Sequence, residues 1–372
     1  MITGIQRTGL VIVLLLLGGW LSGCVSETSK VPAAPPSRPS PSKPQTPAGD
    51  PPGNYRALAL SGDYRGYPAV EAFIDDLVAR YGFTRSYLLG LLSSAERKSW
   101  TIEYMNREKP TGKQKPGGWT RYRAKFLDSK HIEAGTQFGR RYQRALSRAE
   151  ATFGVPAEVI LGILGVETLY GANLGQHRIL DALTTLAFDY PRRADYFKEE
   201  LAHLLIMARE EGFDPARPRG SFAGAMGLGQ FMPGSFLKYA IDFNGDGRRD
   251  LWDPEDAIGS IAHYFKSFGW TPGGAVVVAA EGRPDALALK DGFDTRYTPK
   301  DLSAAGLRPL GPLPRGDTQL SLLKLSTVSG DELRLGLPNF YVITRYNHST
   351  YYAMAVYELG QAVGRRLAES RP

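Results

Sequence analysis

The sequence predicts a mainly α protein, with a helical core, an additional helical domain and a small β-containing insertion. Three observations carry this reading. Apolar residues recur at spacings of three and four from about residue 66 to 270 and again near the C-terminus. Stop and start signals, Gly154 followed by Pro156 the clearest, cut that pattern into helices of ordinary length. Only over 272–343 do short β-prone runs broken by Gly and Pro replace it.

The chain opens with Arg7 and the apolar run "LVIVLLLLGGWL", too short to span a bilayer comfortably, and the run ends in "LSGC". Residues 1–23 read as a signal peptide. Leu21, Ser22, Gly23 and Cys24 resemble the bacterial lipobox, which makes Cys24 the expected lipid attachment point. Cys24 is the only cysteine of the chain, so no internal disulfide can form. By the same resemblance Val25, in place of Asp, implies the periplasmic face of the outer membrane. Residues 24–65 are then a lipid-anchored tether, its stretch to about residue 54 rich in Pro, Ser and Lys and almost without large apolar residues.

In "YPAVEAFIDDLVARYGF" the residues Val70, Phe73, Ile74, Leu77 and Val78 form one helical face, and "RSYLLGLLSSAER" continues in the same style. "AGTQFGRRYQRALSRAEATFG" predicts one helix ended by Gly154, and Pro156 suits the first turn of the next, "VPAEVILGILGVETLYG". "YFKEELAHLLIMAREEG" sets Leu201, Leu204, Leu205 and Ala208 on one side. The expected units are a helical domain over 66–154, an all-helical core over 155–271 and the β-containing insertion over 272–343. The final helix, "STYYAMAVYELGQAVGRRL", is expected to pack back and complete the first domain with residues 344–372.

Composition bounds the function. The 372 residues carry 45 Lys and Arg against 38 Asp and Glu, a net charge of +7 spread over the chain, which gives a mild attraction to anionic partners. No zinc-finger, RRM or helix-turn-helix signature accompanies it, so nucleic acid is set aside.

Three stretches carry chemistry. Glu167 ends a run that is apolar apart from glycines, and a carboxyl buried there without a cation has a raised pKa, as a general acid requires. The alternative is a helix-terminal glutamate that caps backbone or pairs with an arginine. "GSFAGAMGLGQFMPGSF", residues 220–236, mixes glycines with Phe222, Met226, Gln230, Phe231 and Met232. It is either a backbone approached closely by a ligand or a tight connection whose large residues are core. "DFNGDGRRDLWD", residues 242–253, has the oxygen-ligand spacing of a single EF-hand loop. Asp242, Asn244 and Asp246 are expected to ligate by side chain, Arg248 by its carbonyl, Asp250 directly or through water, and Asp253 last. Asp253 stands where the EF-hand has glutamate, which implies modest affinity. The alternative is a turn of solvated acids.

"VETLYG", "ILDALTTLAFDYPRRADYF", "GSFAGAMGLGQFMPGSF", the loop with "DPEDAIGSIAHYFKSFGW", and "TRYNHSTYYAMAVYELGQAV" resemble, in this order, the membrane-bound lytic murein transglycosylase B family. The likeness runs from roughly residue 66 to 368. It implies a lysozyme-like core that cleaves the β-1,4 bond between N-acetylmuramic acid and N-acetylglucosamine in peptidoglycan, leaving 1,6-anhydromuramic ends. It implies Glu167 as the catalytic residue, with Tyr122, Arg193, Ser221, Gln230, Phe231, Met232, Tyr264, Tyr346 and Asn347 about the saccharide. It also implies a structural calcium in the loop, no organic cofactor, peptidoglycan glycan strands as partner, and cell-wall synthesis or division proteins as candidate partners. A binding scaffold without catalysis and a hydrolytic muramidase are the competing readings.

Overall fold

The computed structural model describes residues 49–107, 116–283, 288–314, 316 and 318–369. The signal peptide, Cys24 and the tether as far as residue 48 lie outside them.

The expected tether is shorter than 24–65. Asp50 Oδ1 accepts from the Thr84 amide at 2.7 Å, the Tyr55 hydroxyl donates to Asp214 at 2.8 Å, and Leu60 and Tyr64 are buried. Tyr55, Leu60 and Tyr64 thus dock residues 49–65 on the helical part.

The helical part begins with α1 (Pro68–Tyr81), α2 (Arg85–Ser93), α3 (Ser99–Arg107) and α4 (Gly118–Arg123). Proline opens α1, and Gly82 closes it in the left-handed conformation, φ 69°, with its amide on the Val78 carbonyl. The face of α1 that enters the core is Val70, Phe73, Ile74 and Leu77.

The single helix expected up to Gly154 is two, α5 (Ser129–Arg141) and α6 (Gln143–Phe153), broken at Tyr142. The break has a packing reason: α5 lies against the C-terminal helix, whereas α6 lies against a helix from residues 254–267. A straight helix could not serve both partners. Gly154 ends α6 at φ 72°, and Pro156 stands as the N-cap of α7 (Ala157–Thr168), one place before the first turn.

Helix α7 is buried from Val159 to Thr168, as its apolar run requires. Next come β1 (His177–Arg178), α8 (Ile179–Asp189), α9 (Ala194–Glu210), β2 (Arg219–Gly220), α10 (Pro233–Tyr239) and α11 (Pro254–Ser267). The unit expected to be all-helical thus contains a short antiparallel ladder, His177 opposite Gly220 and Arg178 opposite Arg219, which ties the segment after α7 to the segment after α9.

Strands β3 (Val277–Glu281), β4 (Arg308–Pro309), β5 (Ser321–Thr327) and β6 (Gly330–Gly336), with α12 (Pro299–Ala304), follow. They form an antiparallel sheet of order β4-β3-β6-β5 with a small core of its own, including Val278, Leu320, Leu322, Leu333 and Leu335. Helix returns at Pro338, earlier than the expected residue 344, because a proline after the extended Leu337 is already set for a first turn.

Helices α13 (Pro338–Tyr346) and α14 (Thr350–Glu369) complete the chain. α14 packs along α7, and the two backbones approach through glycine. A methyl group on Gly162 would meet the Val356 carbonyl oxygen at 2.1 Å, and one on Gly360 would meet that of Glu158 at 2.1 Å. No single helix among the described residues is long and apolar enough to cross a membrane.

Candidate active site

Glu167 sits in the last turn of α7, which ends in an unusual way. Leu169 and Tyr170 both take left-handed backbone, φ 49° and 56°, and their amides donate to the Gly165 and Leu164 carbonyls at 3.0 Å. Side chains other than glycine pay for such a turn in strain, and packing holds it here. The Tyr170 ring fills the space over Gly135 and Gly165, where a methyl group on either glycine would meet its hydroxyl at 2.3 and 2.6 Å.

The Glu167 side chain is buried, and burial pushes its carboxyl up to about 8. The fully buried Tyr352 of α14 donates its hydroxyl to Glu167 Oε1, which brings the value part of the way back. Among the described residues neither a cation nor a second carboxylate contributes to the shift. Pairing with an arginine, one of the two sequence alternatives, is therefore not what the side chain does. At neutral pH this group is largely a protonated acid.

Two further tyrosines feel the same carboxylate. Burial first, and then the Glu167 charge, raise Tyr122 of α4 and Tyr346 at the end of α13 far above the ordinary phenol range. Tyr122 reaches its place through the insertion. At the tip of the β5–β6 hairpin the Gly117 amide donates to Ser326 Oγ at 3.3 Å, and the Val328 amide to Thr120 Oγ1 at 3.2 Å. Tyr346 donates to the Gly229 carbonyl at 2.5 Å and packs against Phe231 and Tyr264, with ring centroids 5.8 and 5.0 Å away.

The glycine-rich segment is joined to Glu167 by its neighbour, since Thr168 Oγ1 donates to the Leu228 carbonyl at 3.0 Å. Gly227, at φ 68°, lies so close to Leu251 that a Cβ would meet that side chain at 2.4 Å, so glycine is required there. Gln230 is left-handed at φ 50°, and its Nε2 donates to the Gly227 carbonyl at 2.9 Å and to the Leu174 carbonyl at 3.4 Å. Ser221 Oγ accepts the Ala223 and Ala225 amides at 3.2 and 2.9 Å. The large residues of this segment, Phe222, Met226, Phe231 and Met232, are core, as the second of the two readings expects. Ser221 and Gln230 are half-exposed, whereas Phe231, Met232 and Tyr264 are buried, and the Tyr264 hydroxyl is spent on the Arg345 carbonyl at 2.6 Å. These three belong to the main core.

Asn347 is buried directly after Tyr346. Arg193 keeps different company: its guanidinium lies over the rings of Tyr196 and Phe197, 4.2 and 5.2 Å from their centroids. Sequence reasoning missed Tyr352. A tyrosine on the apolar stripe of a long helix has nothing in its spacing to mark it as the partner of a distant acid.

In the loop 242–253, Asp242, Asn244, Asp246, Arg248 and Asp250 are exposed, and Gly247 in the sixth position has φ 90°. Asp242 accepts the amides of Gly245, Asp246 and Gly247 at 2.7, 3.2 and 2.8 Å. Asp253 caps α11, accepting from Glu255 and Asp256. Asp256, which the spacing did not single out, is fully buried and accepts the amides of Phe243, Asn244 and Asp250 at 2.7, 3.0 and 2.8 Å. Burial raises its carboxyl, against the pull of those amides. Among the described residues no three carboxylate or imidazole groups stand together as a preformed metal cage. The donor set is nonetheless all oxygen, closed around a glycine turn, and its chemistry fits a hard cation such as calcium.

Comparison with known proteins agrees with this architecture. The family model described as Transglycosylase SLT domain matches residues 66–361. The membrane-bound lytic murein transglycosylase B of Escherichia coli (strain K12) is 48% identical over 338 residues, covering 88% of this chain and 93% of that protein. The structure of the Escherichia coli lytic transglycosylase Slt35 in complex with calcium has a TM-score of 0.79 and 50% identity, covering 84% of this chain and 97% of that one. The same protein in complex with bulgecin A gives a TM-score of 0.80 at 50% identity with the same coverage. The soluble lytic transglycosylase SltB1 of Pseudomonas aeruginosa gives 0.76 at 44% identity, covering 81% of this chain and all of that one.

The fold and the buried acid thus define an enzyme with the lysozyme-like helical architecture of the lytic transglycosylases. Within that class, the chain belongs to the membrane-bound lytic murein transglycosylase B family.

Proposed function

We propose that this chain cleaves the β-1,4 bond between N-acetylmuramic acid and N-acetylglucosamine in peptidoglycan by a single-glutamate mechanism that leaves 1,6-anhydromuramic ends. The observation that carries it is the state of Glu167: buried, shifted to about 8, and accompanied by a phenol in place of a second carboxylate. An ordinary glycosidase needs two carboxylates, one for each side of the sugar. Here one acid takes both roles in turn. Protonated Glu167 gives its proton to the leaving oxygen as the C1–O4 bond breaks, with the muramyl acetamide assisting at C1. The carboxylate then takes the proton of the O6 hydroxyl as O6 bonds to C1, which restores the starting enzyme.

Ser221, Gln230, Tyr122, Tyr346, Asn347 and Arg193 serve as the saccharide contacts in this reading. Residues 242–253 hold a structural calcium that fixes the segment between α10 and α11 and supplies no chemistry. Cys24, lipidated, anchors the chain to the periplasmic face of the outer membrane, and the Pro/Ser-rich tether as far as residue 48 lets the folded part reach the wall.

The test is mass spectrometry of muropeptides released from purified sacculi, wild type beside Glu167→Gln. Anhydro products from the wild type and none from the variant are expected. Hydrated products would make the enzyme a muramidase, and no product from either would favour a binding scaffold.

A further inference from the structure

An aromatic cluster adjoins the Ser221 segment. Phe222 follows Ser221 directly, and its ring meets Tyr104 of α3 edge-on at 4.8 Å and Trp100 at 6.1 Å. Trp100 lies 4.6 Å from the His177 ring at 46°, and at 39% exposure it is one of few large apolar side chains open to solvent among the described residues. The link to the site is covalent and close-packed. Gln230 holds the Leu174 carbonyl, and Gly175 touches Gly220 so tightly that a Cβ would meet that carbonyl at 2.1 Å. His177 comes two residues later, in β1. One wall therefore runs from the Gln230 amide to the Trp100 indole.

Its rim is cationic. Lys98 and Arg219 both act on His177, which burial already holds toward its neutral form. Lys98 is paired with Glu96 and Asp181, whereas the exposed Arg219 donates to the Gln176 carbonyl at 2.8 Å and has no carboxylate partner among the described residues. An open indole suits the apolar face of a pyranose ring, and a guanidinium without a carboxylate partner, which shares the neighbour His177, suits a carboxylate.

Resting on the glycan-cleaving reading above, we infer that Trp100 and Tyr104, packed on the buried Phe222, form a distal subsite that stacks a muramyl residue of the strand, with Arg219 receiving the carboxylate of its lactyl group or stem. N-acetylglucosamine offers the same ring face without the acid. The subsite therefore favours murein over a chito-oligomer of equal length, and it acts only on strands long enough to reach it.

The experiment is calorimetric titration of the full chain carrying Glu167→Gln, which is expected to bind without cleaving, with murein strands of graded length. Adding Trp100→Ala should weaken the binding of an octasaccharide about tenfold, with a loss that shrinks as the strand shortens. Trp100→Phe should recover most of that loss, which separates ring contact from misfolding. Arg219→Gln should weaken murein binding several-fold more than binding of the matching chito-oligomer. A Trp100→Ala loss equal at every length, or none at any length, would overturn the subsite. Equal Arg219→Gln effects on the two polymers would overturn its muramyl character. Failure of the Glu167→Gln parent to bind any strand would instead bring down the glycan-cleaving reading, and the subsite with it.

Discussion

The hydroxyl of Tyr352 donates to Oε1 of Glu167 across 185 residues of chain, and among the described residues it is the one polar side-chain contact that opposes the effect of burial on that acid. A donor on Oε1 leaves the acidic proton to Oε2. The phenol therefore orients the acid as well as tempering it.

Tyr352→Phe removes the donor and keeps the ring. Because the hydroxyl lowers the Glu167 pKa, its loss should move the alkaline limb of the pH–rate profile upward, by about one unit. The rate at neutral pH should fall several-fold as the proton loses its fixed position. Turnover of purified sacculi against pH reads both effects, and an unmoved limb would show that Tyr352 does not touch the titrating group.

Glu167→Gln should lower turnover by roughly a thousandfold or more, the scale of a lost general acid. It should also change how stability depends on pH. The ordinary carboxyl value is 4.5, and in the folded chain it is raised to about 8. Below 4.5 both states hold the proton and nothing is lost. As pH rises from there to about 8, the unfolded chain releases the proton and the folded chain keeps it, so wild-type stability declines. The Gln variant lacks this decline, and its melting temperature should exceed that of the wild type by a margin that widens between pH 5 and pH 8.

Gly162→Ala should cost about 1–3 kcal/mol, because the added methyl would push the Val356 carbonyl off α7. The same shift moves α14 and with it Tyr352. Thermal melting and the pH–rate profile should therefore change together, whereas a surface Gly→Ala such as Gly212→Ala should leave the profile alone.

Removal of calcium by a chelator should lower the melting temperature, and added calcium should restore it in a concentration-dependent way. Asp246→Asn keeps the one oxygen that accepts the Arg248 amide but weakens a cation ligand, so it should abolish most of the calcium response while leaving the calcium-free melting temperature within a few degrees. Magnesium in place of calcium tests selectivity in the same melts.

Cys24→Ser should release the chain from the membrane fraction into the periplasm. The soluble protein should retain its activity on isolated sacculi, since Glu167 and its partner Tyr352 lie far along the chain from Cys24.

The sequence by itself determined the helical class, the return of helix at the C-terminus, the acid at Glu167 and the oxygen-rich loop at 242–253. Each of these is written locally: in a period of three to four, in an apolar run interrupted by one carboxylate, or in ligand spacing along a single turn. Tertiary structure alone decided the break at Tyr142, the docking of residues 49–65, the burial of Phe231, Met232 and Tyr264, and the pairing of Glu167 with Tyr352. Those depend on which helix lies against which. The glycine contacts between α7 and α14 show why such facts are hard to read in advance. Gly162 and Gly360 stand 198 positions apart and look like ordinary helix-weakening residues, until the two backbones meet across them and bring the phenol to the acid.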